Sequence, residues 1–211
     1  MKTNNLYPVF IKLDEVQVLI VGAGNVGLEK VQFILKQSPD AKIKIVSETF
    51  HAQIILLAIK NSNIKITERR FLKEDLDGVK ILIAATNNNQ VNGEIYDLAQ
   101  ERNILTNVVD SPDQCDFYTA AVLSKGNVKI AVSSNGASPT LAKRLRDILE
   151  EVIPEEVNYS SLVLGRIRSR LKGDLKTKIN TLNQITDVLV RSKNSIEQLR
   201  KQSNLYDVNL N

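Results

Sequence analysis

The amino-acid sequence predicts an α/β fold whose N-terminal half is a doubly wound parallel β-sheet. Short β-branched apolar runs alternate with longer segments of helical period over the first hundred residues, and a glycine-rich turn separates the first run from the first helical segment. Such alternation is typical of βαβ units around a parallel sheet. Ligands bind outside the carboxyl ends of the strands in these sheets, so we expect the functional residues there.

Five short apolar runs predict the strands, at residues 16–21, 42–46, 64–67, 80–85 and 104–109. Between them, residues 26–36 and 91–102 carry apolar side chains at three- and four-residue spacing. This spacing predicts two helices that pack on the sheet.

The chain changes character after Ser111. An apolar stretch at 117–123, a turn at Gly126 and a strand-like run at 128–132 precede a helix that we expect to begin at Pro139 and end near residue 152. Proline is tolerated in the first turn of a helix, where its missing N–H costs little. Residues 155–211 have helical spacing without strand signals, and the last ten look weakly anchored. We therefore expect an α+β segment followed by a small all-helical domain.

The composition excludes several classes of protein. One cysteine allows no internal disulfide, no signal peptide is visible, and the longest apolar runs fall far short of the ~20 residues that cross a bilayer. The net charge is +4, but basic and acidic residues are interspersed and tryptophan is absent. We expect a cytoplasmic protein with neither a membrane nor a nucleic-acid partner.

A glycine pattern, Gly22, Gly24 and Gly27, follows the first strand and opens the first helix. In a Rossmann-type domain the first glycine permits the tight turn, the second lets the backbone approach a pyrophosphate, and the third lets the helix pack on the strand. Asn25 and Val26 would offer N–H groups at the helix N-terminus, which attracts anions. This context predicts a dinucleotide site, and the alternative is a tight turn that binds nothing.

Ser47 and Glu48 end the second predicted strand, about 20 residues after the last glycine, where a ribose-binding residue is expected. Glu48 lies one residue beyond the usual place. The alternative interpretation, that Glu48 is a solvated loop residue, is nearly as good. Neither residue is the arginine that a 2′-phosphate prefers, which favours NAD over NADP.

The fourth and fifth strands also end in candidate residues. Ala85 and Thr86 would border the nicotinamide half of the cofactor, or would form a strand exit before a helix cap. Asn107 is a further candidate for cofactor binding. Asp110 leaves the fifth strand on the same edge as the glycine turn, and it is either a catalytic group or a cap of the turn that begins at Ser111.

A second cluster precedes the helix at Pro139. Hydroxyls and exposed N–H groups at a helix start form an anion site, and basic side chains follow within two turns, so the cluster predicts a polyanionic substrate. The alternative is an ordinary N-cap at Ser138 with the basic residues on a solvated face. The candidate substrate-binding residues are Ser134, Asn135, Gly136, Lys143 and Arg146.

Metal binding and triad hydrolysis have little support. His51 is the only histidine and Cys115 the only thiol, so no set has metal-ligand spacing and we predict no metal site. Ser134 has no histidine within sequence reach to complete a triad.

Six segments together carry a family resemblance. They are YPVFIKL at 7–13, VGAGNVG at 21–27, AAT at 84–86, NVVD at 107–110, CDF at 115–117 and AVSSNGASPTLA at 131–142. The set resembles the precorrin-2 dehydrogenase family, which also occurs as the N-terminal module of siroheme synthase. The likeness covers most of residues 5–155.

The resemblance implies oxidation of precorrin-2 to sirohydrochlorin, with NAD as hydride acceptor, in siroheme biosynthesis. It implies that Asp110 is the catalytic residue, for which general base is the expected role, and that Ser134 lies at the tetrapyrrole site. It also implies a homodimer that interlocks through the segment after the Rossmann domain. A polycarboxylate substrate fits a helix start flanked by Lys143 and Arg146.

We therefore expect an NAD-binding domain at 1–112, a dimerisation and substrate segment at 113–150 and a helical domain at 151–211. Some family members also insert ferrous iron, and here that activity would depend on Asp110 alone. A non-catalytic NAD-sensing regulator is a third hypothesis. The three intact glycines disfavour a fourth, a pure chelatase with an empty dinucleotide fold.

Overall fold

The computed structural model describes residues 4–172 and 174–191. The chain divides into two compact units between Thr119 and Ala120. Each unit is described by itself.

The first unit contains a five-stranded parallel sheet with the strand order β3-β2-β1-β4-β5. The order reverses between β1 and β4, which is the topological switch point of a doubly wound sheet. The strands are β1 (Gln17–Ala23), β2 (Lys42–Phe50), β3 (Ile64–Glu68), β4 (Val79–Ala84) and β5 (Leu105–Val108). The predicted fold class is confirmed.

Helices cover both faces of this sheet, because successive residues of each buried strand point to opposite sides. On one face Val18 and Ile20 pack in a core with the first two helices, and on the other Leu19 packs in a core with the third. The helices are α1 (Asn25–Gln37), α2 (Ala52–Lys60) and α3 (Asn89–Gln100). Because both faces of the sheet are apolar, helices pack on each face and the sheet lies between two helical layers.

Helix α2 was not predicted from the sequence. Its residues 54–59 form an unbroken apolar run, which carries no helical periodicity. Ile54 is fully buried, whereas Leu56 and Ile59 are largely exposed. Because the solvent face of this helix also carries apolar side chains, the segment lacks the amphipathic pattern by which a helix is recognised in a sequence.

In the part that the structure describes, the second unit contains an antiparallel hairpin and three helices. The predicted turn at Gly126 joins β6 (Ala121–Lys125) to β7 (Val128–Val132), with φ of +58° at Gly126. The Asn158 side chain accepts a hydrogen bond from the Asn127 N–H at 2.9 Å, and Lys125 pairs with Glu155. These contacts hold the hairpin to the first turn of the fifth helix and to the segment just before it. The helices are α4 (Pro139–Val152), α5 (Val157–Arg170) and α6 (Leu175–Arg191).

The first unit runs past the expected boundary at residue 112. The Asp116 carboxylate accepts a hydrogen bond from the Thr106 N–H at 2.8 Å, and Cys115 forms a backbone bridge with Asn107. The functional division at 112 and 150 stays a prediction. The expectation for the last ten residues lies outside the described part of the chain. No helix among the described residues is long and apolar enough to cross a membrane.

Candidate dinucleotide-binding and catalytic site

The glycine turn brings β1, α1 and the end of β4 into close contact. Gly22 has φ of +101°, a conformation that favours glycine, and a Cβ there would lie 2.4 Å from the Ala85 carbonyl oxygen. A Cβ on Gly27 would lie 2.2 Å from the Gly22 carbonyl oxygen. No side chain fits at either position, so both glycines are required by the protein's own backbone.

Gly24 differs from its two neighbours in the pattern. A Cβ at this position would meet no atom within 4 Å, and the residue is exposed. The backbone therefore presents an open surface where α1 begins. Folding therefore does not require a glycine at position 24, and the absence of a side chain there leaves room for a ligand to approach the backbone closely.

The N–H groups in the first turn of α1 have no partner within the helix itself. No side chain caps the helix at Gly24, and its first turn holds no acidic residue. Asn25 is exposed and Val26 is half-buried. An uncapped N-terminus next to an open glycine suits a diphosphate, because the N–H groups and the helix dipole both favour an anion.

Ser47 lies beside the glycine turn. Its Oγ accepts a hydrogen bond from the Ala23 N–H at 3.2 Å, between Gly22 and Gly24. The residue is within β2, which continues to Phe50 rather than ending near Glu48 as expected. Ser47 therefore holds the turn against β2, and its hydroxyl proton remains available to a ligand.

Glu48 is paired rather than a free loop residue. Its Oε1 accepts a hydrogen bond from Arg70 Nε at 2.9 Å, and both side chains are exposed. Sequence reasoning missed Arg70 because it sought a cation next to the end of β2. No local sequence signal could have found it, because the contact depends on the parallel register that pairs Ser47 with Glu68.

Asp75 anchors the same corner of the sheet. Its buried carboxylate accepts hydrogen bonds from Arg69 at 2.7 and 2.8 Å, from Lys44 at 2.6 Å and from the Leu72 N–H at 2.9 Å. Burial disfavours the charged form, but the hydrogen bonds outweigh it and hold the pKa of Asp75 well below its usual range. Sequence reasoning did not identify this residue.

Asn92, a third residue that was not predicted from the sequence, braces the exit of β4. Thr86 Oγ1 donates to Asn92 Oδ1 at 2.6 Å, and Asn92 Nδ2 donates to the Thr86 carbonyl at 3.1 Å. Asn88 caps α3 by accepting from two backbone N–H groups. Ala85 and Thr86 therefore lie against the glycine turn, and a helix cap follows them, while a contact of these residues with the nicotinamide stays a prediction.

Asp110 lies where β5 leaves the sheet. The Val109 N–H donates to the Ala84 carbonyl at 3.0 Å, so Asp110 follows at the same edge as the glycine turn. The residue has φ of +60° and an exposed side chain. No hydrogen bond to its carboxylate occurs in the described part of the chain, so the capping alternative has no contact to support it. The left-handed backbone is a strained position of the kind that clusters at functional sites.

Asn107 braces the loop after β5. Its Nδ2 donates to the Phe117 carbonyl at 2.9 Å and to Cys115 Sγ at 3.4 Å. A cofactor contact would have to use Oδ1. Cys115 also donates to the Val108 carbonyl, and burial raises the pKa of its thiol, which makes it a poor nucleophile.

In the second unit, the predicted substrate cluster forms a closed turn before α4. Ser134 Oγ accepts from the Ser138 N–H at 3.0 Å, and Ser138 caps the helix by accepting from Leu141. Asn135 and Gly136 are exposed and have φ of +53° and +76°. Ser138 therefore caps α4, while substrate binding by this cluster stays a prediction.

The two basic candidates on α4 differ in environment. Lys143 is exposed. Arg146 is half-buried, on the same side of the helix as buried Ala142, and it pairs with the adjacent Asp147 at 2.6 Å. Lys143 is thus the more accessible charge for a substrate.

His51, the sole histidine, caps α2 by accepting from the Gln53 N–H at 3.2 Å. No group of three potential metal ligands occurs among the described residues.

A parallel sheet with its switch point beside an open, uncapped helix N-terminus defines a dinucleotide-binding protein. Residues 9–121 match the family model described as putative NAD(P)-binding, and the chain belongs to that family. Residues 125–151 match the model described as sirohaem biosynthesis protein central.

Two curated relatives with similar sequences are both siroheme synthases. That of Pseudoalteromonas translucida is 37% identical over 169 residues, covering 80% of this chain and 35% of its own length. That of Mannheimia succiniciproducens is 33% identical over 173 residues, with coverage of 82% and 36%. The chain thus spans about a third of the length of the relatives it matches.

A solved structure, named SirC, precorrin-2 dehydrogenase, superposes with a TM-score of 0.71. It is 25% identical, and the match covers 95% of this chain and all of that one. The resemblance derived from the sequence motifs is confirmed by these relatives.

Proposed function

We propose that the protein is an NAD-dependent dehydrogenase that oxidises precorrin-2 to sirohydrochlorin. The observation that carries this proposal is the open start of α1 at Gly24, on the same sheet edge as Asp110, whose carboxylate has no hydrogen-bond partner among the described residues. Similarity to siroheme synthases and to a precorrin-2 dehydrogenase supports the choice of substrate. The sequence resemblance already implied this reaction.

The residues around the glycine turn fit NAD. Gly24, Asn25 and Val26 would hold the diphosphate through backbone N–H groups. Ser47 and Glu48 lie in the last part of β2, beside the glycine turn, and are proposed to face the ribose hydroxyls. Ala85 and Thr86 would border the nicotinamide, and the Asn92 side chain fixes that loop. Bound NAD supplies the hydride acceptor.

Asp110 is proposed as the general base. Dehydrogenation removes one hydride and one proton from the substrate, and the proton requires an acceptor near the cofactor. The Asp110 carboxylate is exposed and has no protein partner in the described region, so it is free to take the proton. The Val109 hydrogen bond to Ala84 fixes its backbone next to β4.

Residues of the second unit are proposed to hold the substrate. Ser134, Asn135 and Gly136 form the turn before α4, and Lys143 offers an exposed positive charge to a substrate carboxylate. Because Arg146 is paired with Asp147, we assign it a supporting role on the helix. The proposal includes a homodimer, a cytoplasmic location and no nucleic-acid or membrane partner.

The test is anaerobic incubation of the protein with precorrin-2, with and without NAD, while the absorbance of sirohydrochlorin and of NADH is followed. Equal amounts of the two products, formed only with NAD, are expected. A protein that binds NAD but yields neither product would refute the dehydrogenase and favour a sensor.

A further inference from the structure

An exposed ion pair joins the ends of β2 and β3 beside the proposed ribose site. Arg70 Nε donates to Glu48 Oε1 at 2.9 Å, and the side chains are 84% and 63% exposed. Glu48 follows Ser47, whose hydroxyl contacts the glycine turn at Ala23. The backbone of Glu48 therefore follows directly after the residue that contacts the glycine turn.

The backbone and the neighbouring arginine determine which cation faces Glu48. The Arg69 N–H donates to the Ser47 carbonyl at 3.0 Å, which holds the chain after β3 against β2. The Arg69 guanidinium is committed to buried Asp75 by two hydrogen bonds. Arg70 follows directly, and its side chain is bonded to Glu48.

We propose that Glu48 and Arg70 together select the cofactor, with Arg70 a latent ligand for a 2′-phosphate that Glu48 keeps occupied. The inference rests on the proposed NAD site. With a ribose 2′-hydroxyl, Glu48 accepts the hydroxyl hydrogen bond while it remains paired with Arg70. With a 2′-phosphate, the Glu48 carboxylate repels the ligand and already holds the guanidinium that would bind it.

The chemistry of the two side chains fits this arrangement. A guanidinium binds phosphate oxygens with more than one hydrogen bond, and it is the side chain that proteins use for the 2′-phosphate of NADP. A pair as exposed as this one is held weakly, so Arg70 can exchange partners once the glutamate charge is removed. Glu48 thus excludes NADP, and no other change is needed for Arg70 to accept it.

The experiment measures dissociation constants of NAD and NADP by isothermal titration calorimetry, with no substrate present. The proteins are wild type, Glu48→Gln, the double variant Glu48→Gln/Arg70→Gln, and Glu101→Gln. The last removes one negative charge from an exposed position at the end of α3 and serves as the matched control.

Wild type is expected to bind NAD more tightly than NADP. Glu48→Gln should bind NADP about tenfold more tightly than wild type does, the scale of one charge-assisted hydrogen bond, and the double variant should lose that gain. The inference is overturned if the NADP affinity of Glu48→Gln rises no more than that of Glu101→Gln. It is also overturned if the double variant, which lacks Arg70, keeps the increase in NADP affinity. Wild type that binds neither cofactor would refute the proposed function as well, whereas normal NAD binding without the gain refutes the inference alone.

Discussion

The Gly22 carbonyl oxygen lies 2.2 Å from the position that a Cβ on Gly27 would occupy. This contact locks the first turn of α1 onto the end of β1. At Gly24, two residues from Gly22, a Cβ would meet nothing within 4 Å. The same glycine pattern therefore contains two positions at which folding requires glycine, Gly22 and Gly27, and one at which it does not, Gly24.

We expect Gly27→Ala and Gly24→Ala to separate stability from cofactor binding. Gly27→Ala should lower the free energy of unfolding by about 2 kcal/mol, since the added methyl group overlaps backbone that cannot move cheaply. Gly24→Ala should leave the melting temperature near wild type and weaken NAD binding about tenfold or more, because the methyl group occupies the ligand's approach. Thermal unfolding and calorimetry measure the two effects. Equal loss of stability in both variants would contradict the assignment.

The sequence was sufficient to predict the elements whose signals are local. The glycine turn and the hairpin turn at Gly126 were both found because each depends on residues adjacent in the chain. Asp110 was placed at the correct sheet edge because parallel strands share a direction.

Two of the missed residues, Arg70 and Asp75, depend on contacts with residues distant in the sequence. Arg70 reaches Glu48 only because β3 pairs with β2 in one register, and the sequence does not state that register. In the sequence Asp75 is one of several neighbouring acidic residues, and only the fold places Lys44 and Arg69 around its carboxylate. Arg146 resembled Lys143 in the sequence, and only the packing of α4 distinguishes them.

Asp75 should make the stability of the protein depend on pH at the acidic end. Because folding lowers the pKa of Asp75, its ionised carboxylate stabilises the fold at neutral pH, and this contribution declines as the pH falls below about 4, the unfolded value. Asp75→Asn should cost about 3 kcal/mol at pH 7, since it leaves Arg69 and Lys44 without their charge partner. Urea unfolding from pH 3 to pH 7 tests both statements.

The matched control for Asp75 is Asp77→Asn. Asp77 pairs with Arg102 at 2.7 Å, but its side chain is 71% exposed, and such pairs contribute about 0–1 kcal/mol. We expect the Asp77 variant to keep the acid dependence of wild type. If the free energy of unfolding of Asp75→Asn falls with pH as steeply as that of wild type, the buried carboxylate is not the group that causes the acid dependence.

Lys143 should affect the encounter with a polyanionic substrate. Lys143→Gln should lower kcat/KM for precorrin-2 about three- to tenfold at low salt, because an accessible positive charge steers an anionic ligand. The difference from wild type should shrink as ionic strength rises. Lys60→Gln, which removes an exposed charge from the end of α2, is the control and should have no such effect. A loss that is independent of salt would argue against steering.

Asp110→Asn is the direct test of the proposed general base. Asparagine keeps the size of the side chain and tolerates the left-handed backbone at φ of +60°, so the variant should fold and melt as wild type does. Its amide cannot accept the proton, and kcat should fall about 10²-fold or more while the NAD dissociation constant is unchanged. Asp113→Asn changes an exposed carboxylate three positions along the chain, in the turn after β5, and should retain turnover. Near-normal turnover in Asp110→Asn would remove Asp110 from the mechanism, because no amide can replace a base that the reaction requires.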